Sequence, residues 1–290
     1  MLVNWLKFLD HVFKSLIFFI GSFILVGLLS KFYRPGVTKS YDRMSEVGGY
    51  ILKKIKSYNP ENVLCAFDID LTLIQPNHPA CYVPNIRKHL KIYRNIELQY
   101  PKLDTSIPFS YTFLEPQHVV DTDIYILLEQ LKAVHKIAFT ATLTGEFQDI
   151  GRLEVIRYQQ LLEKQLQFQS DFKGEDFVLD ACPPYRNNKP AFYKGILCSN
   201  SENGTTTKGD VLCAFLKKIQ WTPEVVILVD DRSKNLNDAA VALKKNFPSV
   251  KFIGIEYLGA HNYCPQTITK EGFKAYWAHL FSKAQAHENL

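Results

Sequence analysis

Short apolar runs alternate with amphipathic stretches along most of the chain. Val63 to Phe67, Lys136 to Thr140, Ala191 to Cys198, Val225 to Val229 and Val250 to Glu256 are rich in β-branched, aromatic and other apolar side chains, and they predict strands. Apolar positions at helical spacing predict helices over Met44 to Tyr58, Val119 to Val134, Phe147 to Leu166, Lys208 to Lys218, Lys234 to Lys245 and Lys270 to Ala286. Asn59-Pro60 ends the first of these. The strands read as near-continuous apolar runs, so both of their faces are expected to be covered. Such strands alternating with helices predict an α/β fold built on a doubly wound parallel sheet. Two stretches interrupt the rhythm. Residues 75–117 are rich in Pro, Tyr and basic residues around one helix near Asn85 to Arg94, and residues 168–190 read as a loop-rich insert.

The amino-terminal segment needs separate treatment. Ser15 to Ser30 carries no charge and is flanked by Lys7 and Lys14 on one side and by Lys31, Arg34 and Lys39 on the other. At ~1.5 Å per residue it falls slightly short of a ~30 Å hydrocarbon core, and the preceding amphipathic residues would extend it. Residues 1–31 are therefore expected to form an N-terminal hydrophobic helix, either a transmembrane anchor or an uncleaved signal, meeting the membrane through residues 15–30. The Lys/Arg excess after it would place a single-pass protein's main domain in the cytoplasm; cleavage of a signal would instead give a secreted or periplasmic product.

Composition narrows the function classes. The chain has 290 residues, long enough for a large core, and its net charge of +5 is spread without a Lys/Arg stripe, so no nucleic acid is expected as partner. The six cysteines form no CxxC pair and fit no zinc spacing. Cys65 and Cys213 fall in apolar elements and read as small core residues with reduced thiols.

The chemistry gathers where strands end. In open α/β sheets ligands bind beyond the carboxyl ends of the strands. The first strand ends in Asp68 with Asp70 beyond it, the second in Thr140 (Thr142 being the alternative hydroxyl), and the Val225 strand in Asp230-Asp231. Lys208 opens the helix before that last strand, with Lys194 or Lys234 as alternatives for its place. Carboxylates brought together in a partly dry site repel strongly. A hard divalent cation resolves this, because Mg²⁺ takes carboxylate oxygens, waters and substrate phosphate. A carboxylate can attack phosphorus, and a second carboxyl can protonate the leaving group and then deprotonate water.

The sequence D-I-D-L-T at 68–72 resembles the DxDx[T/V] signature of the haloacid dehalogenase (HAD) superfamily of phosphohydrolases. Ile137 to Thr140, Lys208 in T-K-G-D and Val225 to Asp231 are similar, in order and rough spacing, to that superfamily's second, third and fourth motifs. The resemblance spans about residues 62–257, and L-T-G, Arg157-Tyr158, F-Y-K-G-I-L and V-D-D-R-S-K-N-L add likeness to an uncharacterised bacterial HAD-like family. It implies a HAD-like catalytic core over 42–290 with a small cap inserted at 75–117. It implies Asp68 as nucleophile, Asp70 as acid/base, Thr140 and Lys208 as phosphate- and carboxylate-binding groups, and Asp68, Asp70 (through its carbonyl), Asp230 and Asp231 around Mg²⁺. The function so implied is a membrane-tethered, Mg²⁺-dependent phosphomonoester hydrolase with an aspartyl-phosphate intermediate, acting on a phosphorylated substrate of unspecified class. A catalytically idle HAD-fold binding protein, and a phosphotransferase or phosphomutase, are the alternatives.

Overall fold

The computed structural model describes residues 36–288 apart from 148–149, 169–171, 173–175 and 202–205. Its strands are β1 (Lys39–Tyr41), β2 (Val63–Phe67), β3 (Ile74–Pro76), β4 (Gln117–Val119), β5 (His135–Thr140), β6 (Asp176–Val178), β7 (Ala191–Tyr193), β8 (Ile196–Cys198), β9 (Val225–Asp230) and β10 (Lys251–Tyr257). Its α-helices are α1 (Met44–Ile55), α2 (Val83–Lys88), α3 (Leu90–Glu97), α4 (Ser106–Tyr111), α5 (Asp123–Gln130), α6 (Leu153–Glu163), α7 (Lys208–Lys218), α8 (Ser233–Asn246), α9 (Gly259–Asn262) and α10 (Lys270–Glu288).

Among the described residues the main sheet has eight strands in the order β1-β10-β9-β2-β5-β8-β7-β6. From β1 to β8 every neighbour is parallel, and β8-β7 and β7-β6 are antiparallel. The molecule is thus an α/β protein with a mostly parallel, Rossmann-like sheet. Strand side chains alternate between its faces. Val63, Cys65 and Phe67 of β2 join Val225, Ile227 and Val229 of β9 in one apolar core with α1 and α5. Leu64, Ala66, Val226 and Leu228 join the other core, with α7 and α8. Burial on both faces is why these strands lack a polar alternation. Strand β2 lies between β5 and β9, where connections run to either side, so the carboxyl ends of these three strands form the crevice at the switch point.

Several predicted elements differ, three of them in kind or connection. Ala191 to Cys198 is a hairpin rather than one strand, because Lys194 (φ 44°) and Gly195 (φ 89°) make a left-handed two-residue turn inside the apolar run. The 168–190 stretch supplies β6, whose antiparallel pairing with β7 departs from an all-parallel sheet. The helix near Asn85 to Arg94 is two helices, α2 and α3, interrupted at His89 (ψ 19°).

The expected single-pass membrane placement is not supported by the described residues. No helix among the described residues is long and apolar enough to cross a membrane. The longest, α10, has 19 residues and carries Lys270, Glu271, Lys274, Lys283 and Glu288 along its length. Residues 1–31, and with them the 15–30 segment read as an anchor, lie outside the described residues.

The antiparallel pair β3-β4 brackets the insertion that holds α2, α3 and α4. This insertion does not stand alone. It shares a third apolar core with α10, in which Ile96, Ile107 and Tyr111 meet Phe273, Trp277 and Phe281. The Trp277 indole donates to the Ala80 carbonyl at 3.1 Å, and Asn85 donates to the Gln266 carbonyl at 2.8 Å. Trp277→Ala is expected to cost about 3–5 kcal/mol in urea denaturation, with faster hydrogen exchange across α2 to α4. Burial pushes the Cys65 and Cys81 thiols up to about 12, while Cys264 is only half-buried. A thiol reagent at neutral pH is expected to modify Cys264 first and Cys65 only on unfolding, as mapped by peptide mass spectrometry.

Candidate active site

The site begins with the helix that presents Lys208. Thr207 caps α7 reciprocally with Asp210: its hydroxyl accepts from the Asp210 N–H at 3.1 Å, and its own N–H donates to the Asp210 carboxylate at 3.3 Å. This fixes Lys208 at the first helical position. Gly209 follows because α8 passes so close that a Cβ there would stand 2.3 Å from the Asp238 carbonyl oxygen. The helix therefore seats directly against α8 and aims Lys208 under the sheet edge.

Lys208 is 2% exposed, and all three ammonium protons have acceptors. Nζ donates to Asp68 Oδ1 at 2.5 Å, to Asp230 Oδ2 at 2.8 Å and to the Phe139 carbonyl at 2.8 Å. These acceptors stand on or just past β2, β9 and β5, three adjacent strands. Burial alone would lower the ammonium's pKa, but Asp230 and Asp68 outweigh it and hold Lys208 protonated. The carboxylates feel the reverse balance. Burial pushes Asp68 well above the usual carboxylate range against the pull of Lys208, and Asp230, Asp231 and Asp70 push it further. Asp230 is raised in the same way, by burial first and by Asp231, with Lys208 opposing.

Asp68, Asp230 and Asp231 are all buried, and each offers an oxygen within 4.8 Å of the others'. Three carboxylates against one ammonium leave a site that favours a cation. An all-oxygen donor set with no sulfur and no imidazole among the clustered groups suits a hard ion such as Mg²⁺. Asn235, one turn into α8, donates to both oxygens of Asp230 at 2.9 and 3.1 Å, and the Arg232 N–H donates to Oδ1 at 2.9 Å. Asp230 is thereby locked in one orientation.

The Asp70 side chain stands outside that cluster. It faces the neighbouring cavity, where Arg157 donates to Oδ1 and the Thr140 hydroxyl donates to Oδ2 at 3.3 Å. The Thr140 and Thr142 hydroxyls lie 2.7 Å apart, so both candidate hydroxyls are present and both are buried. The chain turns sharply after Asp70: Leu71 adopts φ 63°, and the Leu71 N–H donates to the Ile74 carbonyl at 2.9 Å. Of the alternative lysines, Lys194 stacks on Tyr158 and Tyr193, and Lys234 pairs with Asp238; neither reaches the cluster.

The cavity holds about 30 Å³ and is lined by Asp68, Asp70, Ala141 and Asp231, with Phe109 and Phe113 of the insertion's α4 segment contributing apolar wall. Phe113 is held twice over. The Arg157 guanidinium stacks on its ring at 4.4 Å, and Gln160, itself bonded to Arg157 at 2.7 Å, donates to its carbonyl.

Arg157, Asn235 and His261, which bonds to Asp231, have no assigned role in the motif reading. Arg157 carried a signal, because it sits on the buried stripe of α6 between Leu153 and Leu161. His261 carried a fainter one, just past the carboxyl end of β10, the neighbour of β9.

Comparison with known proteins adds relatives but no activity. An uncharacterised protein of Rickettsia bellii is 26% identical over 218 residues, covering 70% of each chain. Uncharacterised proteins of Rickettsia felis and Rickettsia typhi are each 27% identical over 124 residues, 42% of this chain and 40% of theirs. Among solved structures, a HAD family hydrolase from Salmonella enterica serovar Typhi aligns over 64% of this chain and 65% of its own at 14% identity; its TM-score of 0.29 is too low to carry an argument. The family model described as "Protein of unknown function (DUF2608)" matches residues 40–284, and the chain belongs to that family.

Proposed function

We infer that this protein is a Mg²⁺-dependent phosphomonoester hydrolase that works through an aspartyl-phosphate on Asp68. The observation that supports this best is the buried Asp68–Lys208–Asp230 bridge, with Asp231 beside it, at the carboxyl ends of β2 and β9. Its order along the chain is that of the four motifs resembling the HAD phosphohydrolases.

The chemistry follows from the side chains. An oxygen of Asp68 attacks phosphorus and the ester P–O bond breaks. Asp70, facing the same cavity, gives its proton to the departing oxygen. Water then attacks phosphorus, Asp70 takes the water's proton, and the bond to Asp68 breaks to release inorganic phosphate and the free carboxylate. Lys208 holds Asp68 in place and offsets its charge against Asp230. Thr140 and Arg157 hold the Asp70 carboxyl at the cavity that Asp68 and Asp231 also line. Asp68, Asp230 and Asp231 would hold Mg²⁺, which supplies charge to stabilise the transferring phosphoryl oxygens.

Residues 75–117 act as the cap. Phe109 and Phe113 wall the cavity from the side of this segment, so movement of the segment would widen the entry for a phosphoryl group. Closure then excludes bulk water from the acyl-phosphate. The apolar wall belongs to this cap and sets which leaving groups fit.

Hydrolysis of an aryl phosphate is expected with Mg²⁺ and to be lost in EDTA. Asp68→Asn should lower kcat by ~10⁴-fold or more, and Asp70→Asn by about 10²–10⁴-fold; activity persisting in Asp68→Asn would exclude the mechanism. Mg²⁺ at a hundred times its Kd should add about 2.7 kcal/mol of stability. That gain would be read as a rise in Tm that EDTA reverses and that is absent in Asp230→Asn.

A further inference from the structure

The acidic cluster is tied to the insertion through one histidine. His261 Nε2 lies 2.7 Å from Asp231 Oδ2, with the Asp231 side chain 4% exposed and the His261 side chain 18% exposed. On the other side of the ring, Arg87 of α2 reaches Nδ1 with Nη2 at 2.9 Å and the His261 carbonyl with Nη1 at 3.1 Å. A guanidinium has donors only. Nδ1 is therefore an acceptor, and Nε2 carries the proton shared with Asp231. The direction of both hydrogen bonds follows from the arginine.

The backbone under His261 is also fixed. Gly259 opens α9 against the buried Tyr257, and a Cβ at that position would stand 2.2 Å from the Tyr257 hydroxyl oxygen. A larger residue there would have to displace the Tyr257 ring. The Leu258 carbonyl accepts from the His261 N–H at 3.0 Å, which closes the turn. His261 is thus set from its backbone and from both ring nitrogens.

We propose that His261 is a positioning residue for Asp231 as a cation ligand, and that Arg87 delivers this function from the insertion. The proposal rests on the reading of Asp68, Asp230 and Asp231 as a Mg²⁺ site. A carboxylate with one oxygen held by an oriented N–H has its plane and rotamer fixed before the ion arrives, so less freedom is lost on binding. Partners of this kind behind a ligating group change metal affinity by about 10–100-fold. The insertion therefore contributes to the cation site as well as to the cavity wall. When α2 is docked, Arg87 holds His261, and His261 holds Asp231.

Calorimetric Mg²⁺ titration of the full chain tests this, with Mn²⁺ electron paramagnetic resonance as a second readout. His261→Leu is expected to weaken binding by about 10–100-fold. His261→Gln, which can donate to Asp231 and accept from Arg87, should recover most of the loss. Arg87 is exposed, so Arg87→Met should weaken binding by no more than about fivefold, and Arg87→Lys less. Unchanged Mg²⁺ affinity in a folded His261→Leu overturns the proposal while leaving the cation site intact. Failure of the unaltered chain to bind Mg²⁺ overturns the cation site itself. A further check needs no variant: two-bond proton–nitrogen NMR of the unaltered protein in alkaline buffer should show His261 protonated at Nε2 and bare at Nδ1, and protonation at Nδ1 would contradict the assigned geometry.

Discussion

A single buried ammonium holds this site together. Lys208 satisfies all three of its protons on Asp68, Asp230 and the Phe139 carbonyl, and so bridges three neighbouring strands at the carboxyl edge of the sheet. Removing either side of such a bridge leaves uncompensated charge in a dry place, which typically costs several kcal/mol. Nearby features serve this arrangement. The Thr207 cap and the close α7–α8 approach at Gly209 set where the ammonium arrives, and Asn235 and the Arg232 N–H take the Asp230 lone pairs that Lys208 leaves. The remaining negative charge, on Asp231 and beyond, is what makes the edge attractive to a cation.

The insertion is the second constraint. It is bracketed by a short antiparallel pair and then packed against α10, so its position depends on aromatic contacts far along the chain. Two of its segments reach the site in different ways. The α4 segment brings Phe109 and Phe113 onto the cavity, where Arg157 and Gln160 grip Phe113. The α2 helix brings Arg87 to His261 on the other side of the acidic cluster. An element read from sequence as a lid is thus also part of the site's framework.

Much of this was legible in the sequence, for a physical reason. Strands buried on both faces are continuous apolar runs, and Val63–Phe67 keeps its predicted bounds in the fold while Val225–Val229 gains only Asp230. A carboxylate at the end of such a run must lie at the sheet edge, so the convergence of Asp68, Asp230 and Lys208 followed from strand order. The Ala191 to Cys198 hairpin was hidden because its turn, Lys194-Gly195, is short and flanked by apolar residues on both sides. The apolar spacing starts two helices too early, at Val119, which closes β4, and at Phe147, which precedes α6; Asp121, which accepts from the Asp123 N–H at 2.9 Å, starts α5 later than the periodicity suggests. Arg157 and His261 gain their meaning only from what the fold places opposite them, Asp70 and Asp231, and no local spacing encodes that.

The Lys208 bridge also bears on the order in which the chain acquires its structure. Its partners are Asp68, Phe139 and Asp230, positions separated by long stretches of sequence, and each lies on or just beyond a different strand. Placing the ammonium in the interior before both carboxylates have arrived would strand a charge without compensation, and placing the carboxylates first would crowd like charges. Loop-closure entropy must be met before either arrangement gains from the other. The bridge is therefore favourable only when the central three strands hold their final register, so drying of this edge and strand register are coupled.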